Sequence, residues 1–275
     1  MGMRVALQSI WTWGAILVLM VLWVPLLALL RVFDRDPAYY RTGRWMRRLG
    51  MAMTKVNPAW HIEISGETIE NPRYPYVVVS NHQSSADIPI ISCLPWEMKW
   101  VAKAELFKAP LVGWLMRLAG DIPVDRTNKR SGAKVLIKGR QYLRDRCSVM
   151  FFPEGTRSRD GRVHPFTDGA FRLAIKAQVP VLPLAIDGTQ DALPTHSWKF
   201  SAATVRLKVL PPVPTTGLTR TDTEALREQV RSLIIEQLAA WRSASSDALD
   251  ATIPTAIDQD AAKTPAPVGT PEPTP

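Results

Sequence analysis

The sequence predicts an α/β fold: a mostly parallel central sheet flanked by helices, preceded by an N-terminal membrane-associated helical segment. Three observations carry this reading. Short apolar runs of strand length recur between residues 74 and 210, separated by stretches of helical period, and such alternation gives a parallel sheet covered on both faces. Residues 5–30 contain no charged side chain, enough at a 1.5 Å rise per residue to cross a hydrocarbon layer of about 30 Å. Hydrophobic residues at 46% and charged residues at 21% of 275 are ordinary for a chain that buries a core, which excludes wholesale disorder.

Residues 1–58 form the expected membrane-anchoring helical segment. A cleaved signal peptide fits poorly, because the apolar run is too long and no A-x-A-like site closes it. Arg31, Arg35, Arg41, Arg44, Arg47 and Arg48 follow the run while only Arg4 precedes it, so the positive-inside bias puts everything after residue 30 on the cytoplasmic face. Pro25 removes a helical hydrogen bond and opens a shallow, re-entrant path as an alternative to a straight span. Residues 39–53 mix arginines with Trp45, Met46, Leu49 and Met53, which suits a helix in the headgroup layer or a basic surface helix.

Residues 59–243 are the α/β domain. Its strands are read at 74–80, 98–102, 121–124, 148–152, 179–186 and 204–210. Helices are read at 86–94, at 110–120, which opens with a proline and closes with a glycine, at 128–146, at 168–178 with Asp168 as cap, and from Thr221, where Glu224 stands at capping-box spacing. Residues 244–275, rich in Pro, Ala and Thr, read as a disordered tail. From Asp247 onward the tail carries five acids and one lysine, so the formal +9 of the whole chain leaves +13 on residues 1–246. That excess suits an anionic membrane or a phosphorylated substrate. The basic and aromatic pattern of an RNA platform is missing, and no nucleic-acid partner is expected. Two cysteines, Cys93 and Cys147, support no disulfide framework and read as buried thiols.

In such sheets, sites form at the carboxyl ends of strands, and two polar turns stand there. The first, NHQSSAD (81–87), places His82 and Asp87 five residues apart. On a helix these would point about 140° apart and on a strand to opposite faces, so only a turn lets them meet. Meeting, the carboxylate would accept the Nδ1 proton and stabilise the imidazolium while Nε2 takes a proton from a bound hydroxyl. Ser84 and Ser85 read as caps of the following helix. A metal site is the competing reading, but an H-x4-D spacing supplies no third and fourth ligand. The second turn, FPEGTRS (152–158), leaves a strand through Pro153 and Gly155 and displays Arg157, followed by Arg159 and Arg162. Planar guanidinium groups favour phosphate, whereas composition alone would make this a solvated basic loop. No Walker-type loop occurs.

Taken as a set, these turns resemble the N-H-x4-D and F-P-E-G-T-R-S motifs of the glycerolipid acyltransferases. AGDIPVDR (119–126) resembles that family's G-x-I-x-x-x-R block and VPVLPLAI (179–186) its final V-P-[IV]-[VI]-P block, all in family order. The resemblance is strongest to the branch that acylates 1-acylglycerol 3-phosphate. It implies transfer of an acyl group from a thioester, on coenzyme A or acyl carrier protein, to the hydroxyl of lysophosphatidic acid at a membrane, with no metal or other cofactor. It further implies His82 as general base and Asp87 as its orienting partner, without an acyl-enzyme. Arg126 would hold the acceptor phosphate with Arg157 and with help from Lys103, and Glu154, Gly155 and Thr156 would bind or order the acceptor. Pro123 stands where many relatives carry a larger apolar residue. Backbone N–H groups of the NHQSSAD turn are the expected oxyanion donors. Other acceptors (glycerol 3-phosphate, another lysophospholipid, a lyso-aminolipid), a non-catalytic lipid-binding protein and a metal-dependent hydrolase are the alternatives.

Overall fold

The structure, a computed structural model, describes residues 2–252. Seven strands form one sheet: β1 (Trp60–Gly66), β2 (Val77–Ser80), β3 (Met98–Lys103), β4 (Ile122–Val124), β5 (Ser148–Phe151), β6 (Val181–Asp187) and β7 (Ala203–Val209), in the order β1-β7-β6-β2-β5-β3-β4. Every neighbouring pair is parallel except β6 and β7. The central strand β2 is buried at all four positions, which is why it reads as an unbroken apolar run. Register sets Val77 opposite both Val149 and Val181.

The helices are α1 (Gly2–Phe33), α2 (Tyr40–Lys55), α3 (Asp87–Ile91), α4 (Val112–Ala119), α5 (Lys129–Arg144), α6 (Gly169–Ala177), α7 (Thr189–Ala192), α8 (Thr223–Arg242) and α9 (Ser246–Leu249). One face of the sheet is covered by α5, α6 and α8 through Val135, Tyr142, Phe171, Leu173, Val230 and Ile234. The other, which carries Trp100 of β3, packs on Ile90 and Ile91 of α3, with Leu94 and Trp96. Helix α2 lies on α3, and α1 lies on α2 and α4.

The apolar N-terminal run is one continuous helix through Pro25, about 48 Å long at 1.5 Å per residue. It is bound to the domain along its length. The Phe200 N–H donates to Ser9 Oγ at 2.9 Å and Trp13 Nε1 donates to the Trp198 carbonyl at 2.7 Å. Further along, Trp23 Nε1 donates to the Trp45 carbonyl, Leu27 is buried with Leu49 and Leu115, and Arg31 lies over the Tyr39 ring. Its outer side, with Leu7, Ile10, Trp11, Leu17, Val18, Val21, Leu22 and Leu29, is exposed.

Several sequence expectations are corrected. Strand β1 was not expected: it is an edge strand, and the polar His61 and Glu63 interrupt its apolar residues. The capping box opening the last long helix is Thr219 with Asp222, because a single 3-10 turn precedes α8. Asp168 stands at the α6 N-cap position without bonding the helix backbone; its carboxylate binds Arg172 and Arg227 instead. The boundary at residue 243 is too early: Leu249 is buried, Val163 N–H donates to the Leu249 carbonyl, and Asp250 pairs with Arg231. Residues 253–275 of the expected tail lie outside the described residues. Cys147 is buried, but Cys93 only partly so. Finally, α2 is no simple surface helix, since Arg47 turns inward between Glu97 and Asp121, each 3.6 Å away, beside Lys99.

Candidate active site

Strand β2 ends at Ser80, and the next residue locks the turn to the sheet. Asn81 Nδ2 donates to the Ile186 carbonyl at 2.9 Å while its Oδ1 accepts the Ile186 N–H at 3.0 Å. The side-chain amide thereby extends the ladder between β2 and β6 past the strand's last residue, and His82 leaves the sheet at a set angle.

His82 and Asp87 do meet. Their Nδ1···Oδ2 separation is 2.6 Å, and since an ionised carboxylate can only accept, Nδ1 carries the proton and Nε2 is the nitrogen left for a substrate. Asp87 is fully buried, and its Oδ2 also accepts the Gln83 and Ser84 N–H groups at 2.8 and 3.0 Å. The carboxylate therefore closes the turn and holds the ring with the same oxygen. The imidazole stacks on Phe152 with centroids 3.9 Å apart and planes 14° apart, leaving its side chain 16% exposed. It is held on one edge and one face, and open on the remainder.

The two motif turns are laced together. Glu154 Oε1 accepts the His82 N–H at 2.7 Å, Oε2 accepts the His164 N–H at 3.0 Å, and the Ser158 N–H donates to the His82 carbonyl at 2.7 Å. Glu154 is thus buried behind the histidine as a brace. Burial pushes its carboxyl up to about 8, against the pull of those two N–H groups. Gly155 has φ +78°, a conformation that strains other residues, and a Cβ added there would lie 3.4 Å from Arg126 Nη1. The turn needs glycine for its backbone, and the Arg126 guanidinium lies over it. Arg157 Nη1 donates to Ser85 Oγ at 3.1 Å, so the second turn's arginine reaches the first turn. Thr156 is exposed.

Lys103 is placed at the end of β3 beside Val124, but its side chain is 61% exposed and within 3.8 Å of Glu105. Pro123 sits on β4, the last strand of the sheet, where a missing N–H costs little. Ser84 and Ser85 do not cap α3 in the expected way, since its N-cap position is Ala86; Ser84 Oγ donates to the Leu193 carbonyl and accepts the Ala86 N–H. Most of the expected oxyanion donors are already engaged. The N–H groups of His82, Gln83, Ser84, Ala86 and Asp87 are all bonded within the protein.

Two further features lay beyond the sequence reading. The loop after the second turn is held from behind by α8: Arg231 donates to the Val163 and His164 carbonyls, and Arg242 donates to the Gly161 carbonyl. Arg231 also binds Asp250, and that bond holds the Asp250 carboxyl well below the usual carboxylate range. Two cavities lie near the two motif turns, one lined by residues of the first and the other by residues of the second. One, about 260 Å³, is almost wholly apolar and lies between Trp13, Ile16, Met20 and Met53 of the N-terminal helices and Ser85 and Ala86 of the turn. The other, about 670 Å³, is bounded by Arg126, Gly155, Phe152, Leu136, Thr167 and Arg172. Among the described residues no group of three or more His, Cys, Asp or Glu side chains is arranged to hold a metal ion.

A buried carboxylate, an oriented imidazole with one free nitrogen, nearby guanidinium groups and an apolar cavity together can deprotonate an alcohol that carries both an anionic group and a hydrocarbon chain. Comparison with known proteins gives the same picture. Residues 61–187 match the acyltransferase family model. The chain is 40% identical over 190 residues to human 1-acyl-sn-glycerol-3-phosphate acyltransferase alpha, covering 68% of this chain and 65% of that one. It is 36% identical over 183 residues to the chloroplastic 1-acyl-sn-glycerol-3-phosphate acyltransferase BAT2 of Brassica napus, covering 66% and 52%. The chain therefore spans about half to two thirds of these curated relatives. Among solved structures, that of the 1-acyl-sn-glycerophosphate acyltransferase PlsC from Thermotoga maritima superposes with a TM-score of 0.71 at 27% identity, covering 86% of this chain and 98% of the other.

Proposed function

Because residues 61–187 make this chain a member of the acyltransferase family, we propose that it moves a fatty acyl group from a coenzyme A or acyl carrier protein thioester to the sn-2 hydroxyl of 1-acylglycerol 3-phosphate, giving phosphatidic acid. The observation that carries this reading is the 2.6 Å contact between His82 Nδ1 and Asp87, which leaves Nε2 as a base with no side-chain hydroxyl or thiol bonded to it among the described residues. In the proposed reaction Nε2 takes the hydroxyl proton as the oxygen attacks the thioester carbonyl. The tetrahedral intermediate then expels the thiolate, which takes the proton back from the imidazolium. No acyl-enzyme forms. Arg126 and Arg157 hold the acceptor phosphate, and Glu154, Gly155 and Thr156 shape the turn that presents them. The apolar cavity beside Ser85 receives a hydrocarbon chain.

The N-terminal helix supports a membrane site for this chemistry. A helix bonded to the domain from Ser9 to Arg31 cannot cross a bilayer without drawing the domain in with it. In our reading α1 lies along the membrane surface, with its exposed apolar side in lipid and the domain on the cytoplasmic face. The lysolipid then slides from the leaflet into the cavity without leaving an apolar environment. No metal takes part in this reading, so activity survives exhaustive chelation.

The test uses the purified full-length protein in mixed micelles, with a panel of lysophospholipid and glycerol 3-phosphate acceptors against both thioester donors. Lysophosphatidic acid should be the preferred acceptor. His82→Ala should lose transfer by about 10²–10⁴-fold, the range of a positioned general base, while retaining lipid binding. Normal turnover by that variant would refute the assignment.

A further inference from the structure

Every charged residue of helix α5 is basic. Residues 128–144, NKRSGAKVLIKGRQYLR, contain six lysines and arginines and no acid, so no intrahelical ion pair can neutralise them. Between its outer side and α6 runs a groove of about 400 Å³ lined by Ala133, Leu136, Ile137, Arg140, Arg144 and Lys176. Arg144 and Lys176 are exposed and Arg140 half-buried. None of the three has a carboxylate within ion-pair distance among the described residues, whereas the neighbouring Arg172 is already paired with Asp168. In the middle of these charges Ile137 stands 72% exposed.

Two placements give the groove a direction. Ala133 and Leu136 also line the 670 Å³ cavity that ends at Phe152, the ring on which His82 stacks. The groove and that cavity are therefore adjacent along α5, and the cavity reaches from the side of the domain to Phe152. Helices α5 and α6 cover the face of the sheet opposite α3, whereas α1 and α2 pack on the α3 side. A groove on that face looks away from the membrane-associated helix and toward the aqueous phase.

Resting on the acyltransferase reading above, we propose that this groove docks an acidic, water-soluble protein that carries the acyl group as a thioester on a flexible prosthetic arm. The carrier's acidic surface meets Arg140, Arg144 and Lys176, and Ile137 is the apolar anchor at the centre of the contact. The arm runs past Ala133 and Leu136 into the larger cavity and delivers the thioester to His82. An unneutralised cationic rim around one exposed aliphatic side chain is the complement of such a partner. A bilayer, the other anionic surface available, lies on the other side of the molecule.

The full-length protein in micelles tests this with the triple variant Arg140→Glu, Arg144→Glu, Lys176→Glu, whose changes are all at solvent-accessible positions. With the acyl carrier protein of the same organism as donor, its KM should rise by about tenfold or more, while kcat/KM with acyl-coenzyme A stays within about twofold. An unchanged KM for the carrier, an equal loss with both donors, or a wild-type protein that accepts acyl groups from coenzyme A alone would each overturn the dock. Anisotropy titration with labelled carrier protein bearing a free arm reads docking without transfer. Binding should weaken with salt, in the triple variant and in Ile137→Ala, and no detectable binding by the wild type also overturns the proposal. A wild type that binds the carrier yet transfers from neither donor would instead sink the acyltransferase reading and leave the dock standing. Flotation with phosphatidylglycerol-containing vesicles should be unchanged in the triple variant; its loss would assign the groove to the membrane.

Discussion

The two halves of the candidate site are built on opposite principles. On the base side, His82 is fixed by a buried carboxylate, a stacked ring and two backbone bonds, and its carboxylate partner is fixed in turn by two N–H groups. On the anion side, Arg126 is exposed above a glycine, Arg157 makes one hydroxyl contact, and Lys103 stands in solvent. The difference follows from what each half must do. Proton transfer needs reacting atoms within hydrogen-bond reach in one geometry, whereas a phosphate can be held by several guanidinium orientations. Substitutions on the base side should therefore cost turnover, and those on the anion side should cost affinity.

The largest effect is expected at Asp87. In Asp87→Asn the amide oxygen can still accept the Gln83 and Ser84 N–H groups, so the turn survives. That same oxygen also faces Nδ1, but as a neutral acceptor it stabilises the imidazolium formed in proton transfer far less than a carboxylate does. We expect kcat to fall by about 10²–10⁴-fold with KM for the acceptor nearly unchanged. Steady-state kinetics on a variant with wild-type circular dichroism checks this; a tenfold rise in KM with normal kcat would show that the turn is binding, not proton transfer, machinery.

Arg126→Ala comes next and should behave in the reverse way. Loss of one charge-assisted contact to phosphate is worth about 1.5–3 kcal/mol, so KM for lysophosphatidic acid should rise roughly tenfold to a hundredfold with a smaller change in kcat. The thioester KM should stay within about twofold. Arg126→Lys should recover only part of the loss, since an ammonium cannot reproduce the planar fork. A larger effect on the thioester than on the acceptor would move the phosphate elsewhere.

The same contrast explains which parts of the molecule were legible from sequence. The base side was readable because its partners lie within one short turn and its strand is a continuous apolar run: H-x4-D announces the pair, and the turn geometry follows from it. Strands β2, β5 and β6 announce themselves likewise. Partnerships between distant residues had no local signal. Arg231 binds Asp250 and the loop carbonyls at 163 and 164, yet it reads as one more polar position on an amphipathic helix. Nothing in the local sequence pairs Arg47 with Glu97, Lys99 and Asp121, yet the fold buries all four together. Asn81 has no role legible within its motif, because its task, stitching β2 to β6, involves a backbone over a hundred residues away. Most of the expected oxyanion donors are engaged for a related reason: a turn before a helix offers several N–H groups, and here Asp87, Glu154 and Ser84 take those of residues 82, 83, 84, 86 and 87.

Glu154 belongs to the base side by position and should reveal itself through stability rather than rate. With its carboxyl raised by burial to about 8, the folded state keeps a proton that the unfolded chain releases near the ordinary glutamate value of about 4.5. The native state then binds more protons between those limits, so this residue's contribution is full below the lower one and is lost as pH rises toward 8. Glu154→Gln removes that dependence but also one bond, because an amide offers an acceptor to only one of the His82 and His164 N–H groups. Thermal melts from pH 5 to 8 should show the variant several degrees less stable at pH 5, with the gap narrowing as pH rises. A gap that widens with pH would mean that the carboxylate form is the one the fold stabilises.

The smallest effect is expected at Lys103, and it bears most directly on how far the anion side extends. Its side chain is 61% exposed and its nearest carboxylate, Glu105, is 3.8 Å away at the surface, an ion pair worth at most about 1 kcal/mol. Val124 is its register neighbour on β4, so a phosphate held by Arg126 two residues further on would lie at long range in high dielectric. Lys103→Ala should accordingly raise the acceptor KM by no more than about threefold, and raising salt from 50 to 300 mM should erase even that difference. A salt-resistant loss of tenfold or more would show that Lys103 folds down onto the bound headgroup, making the anion side as tightly built in the complex as the base side is without substrate.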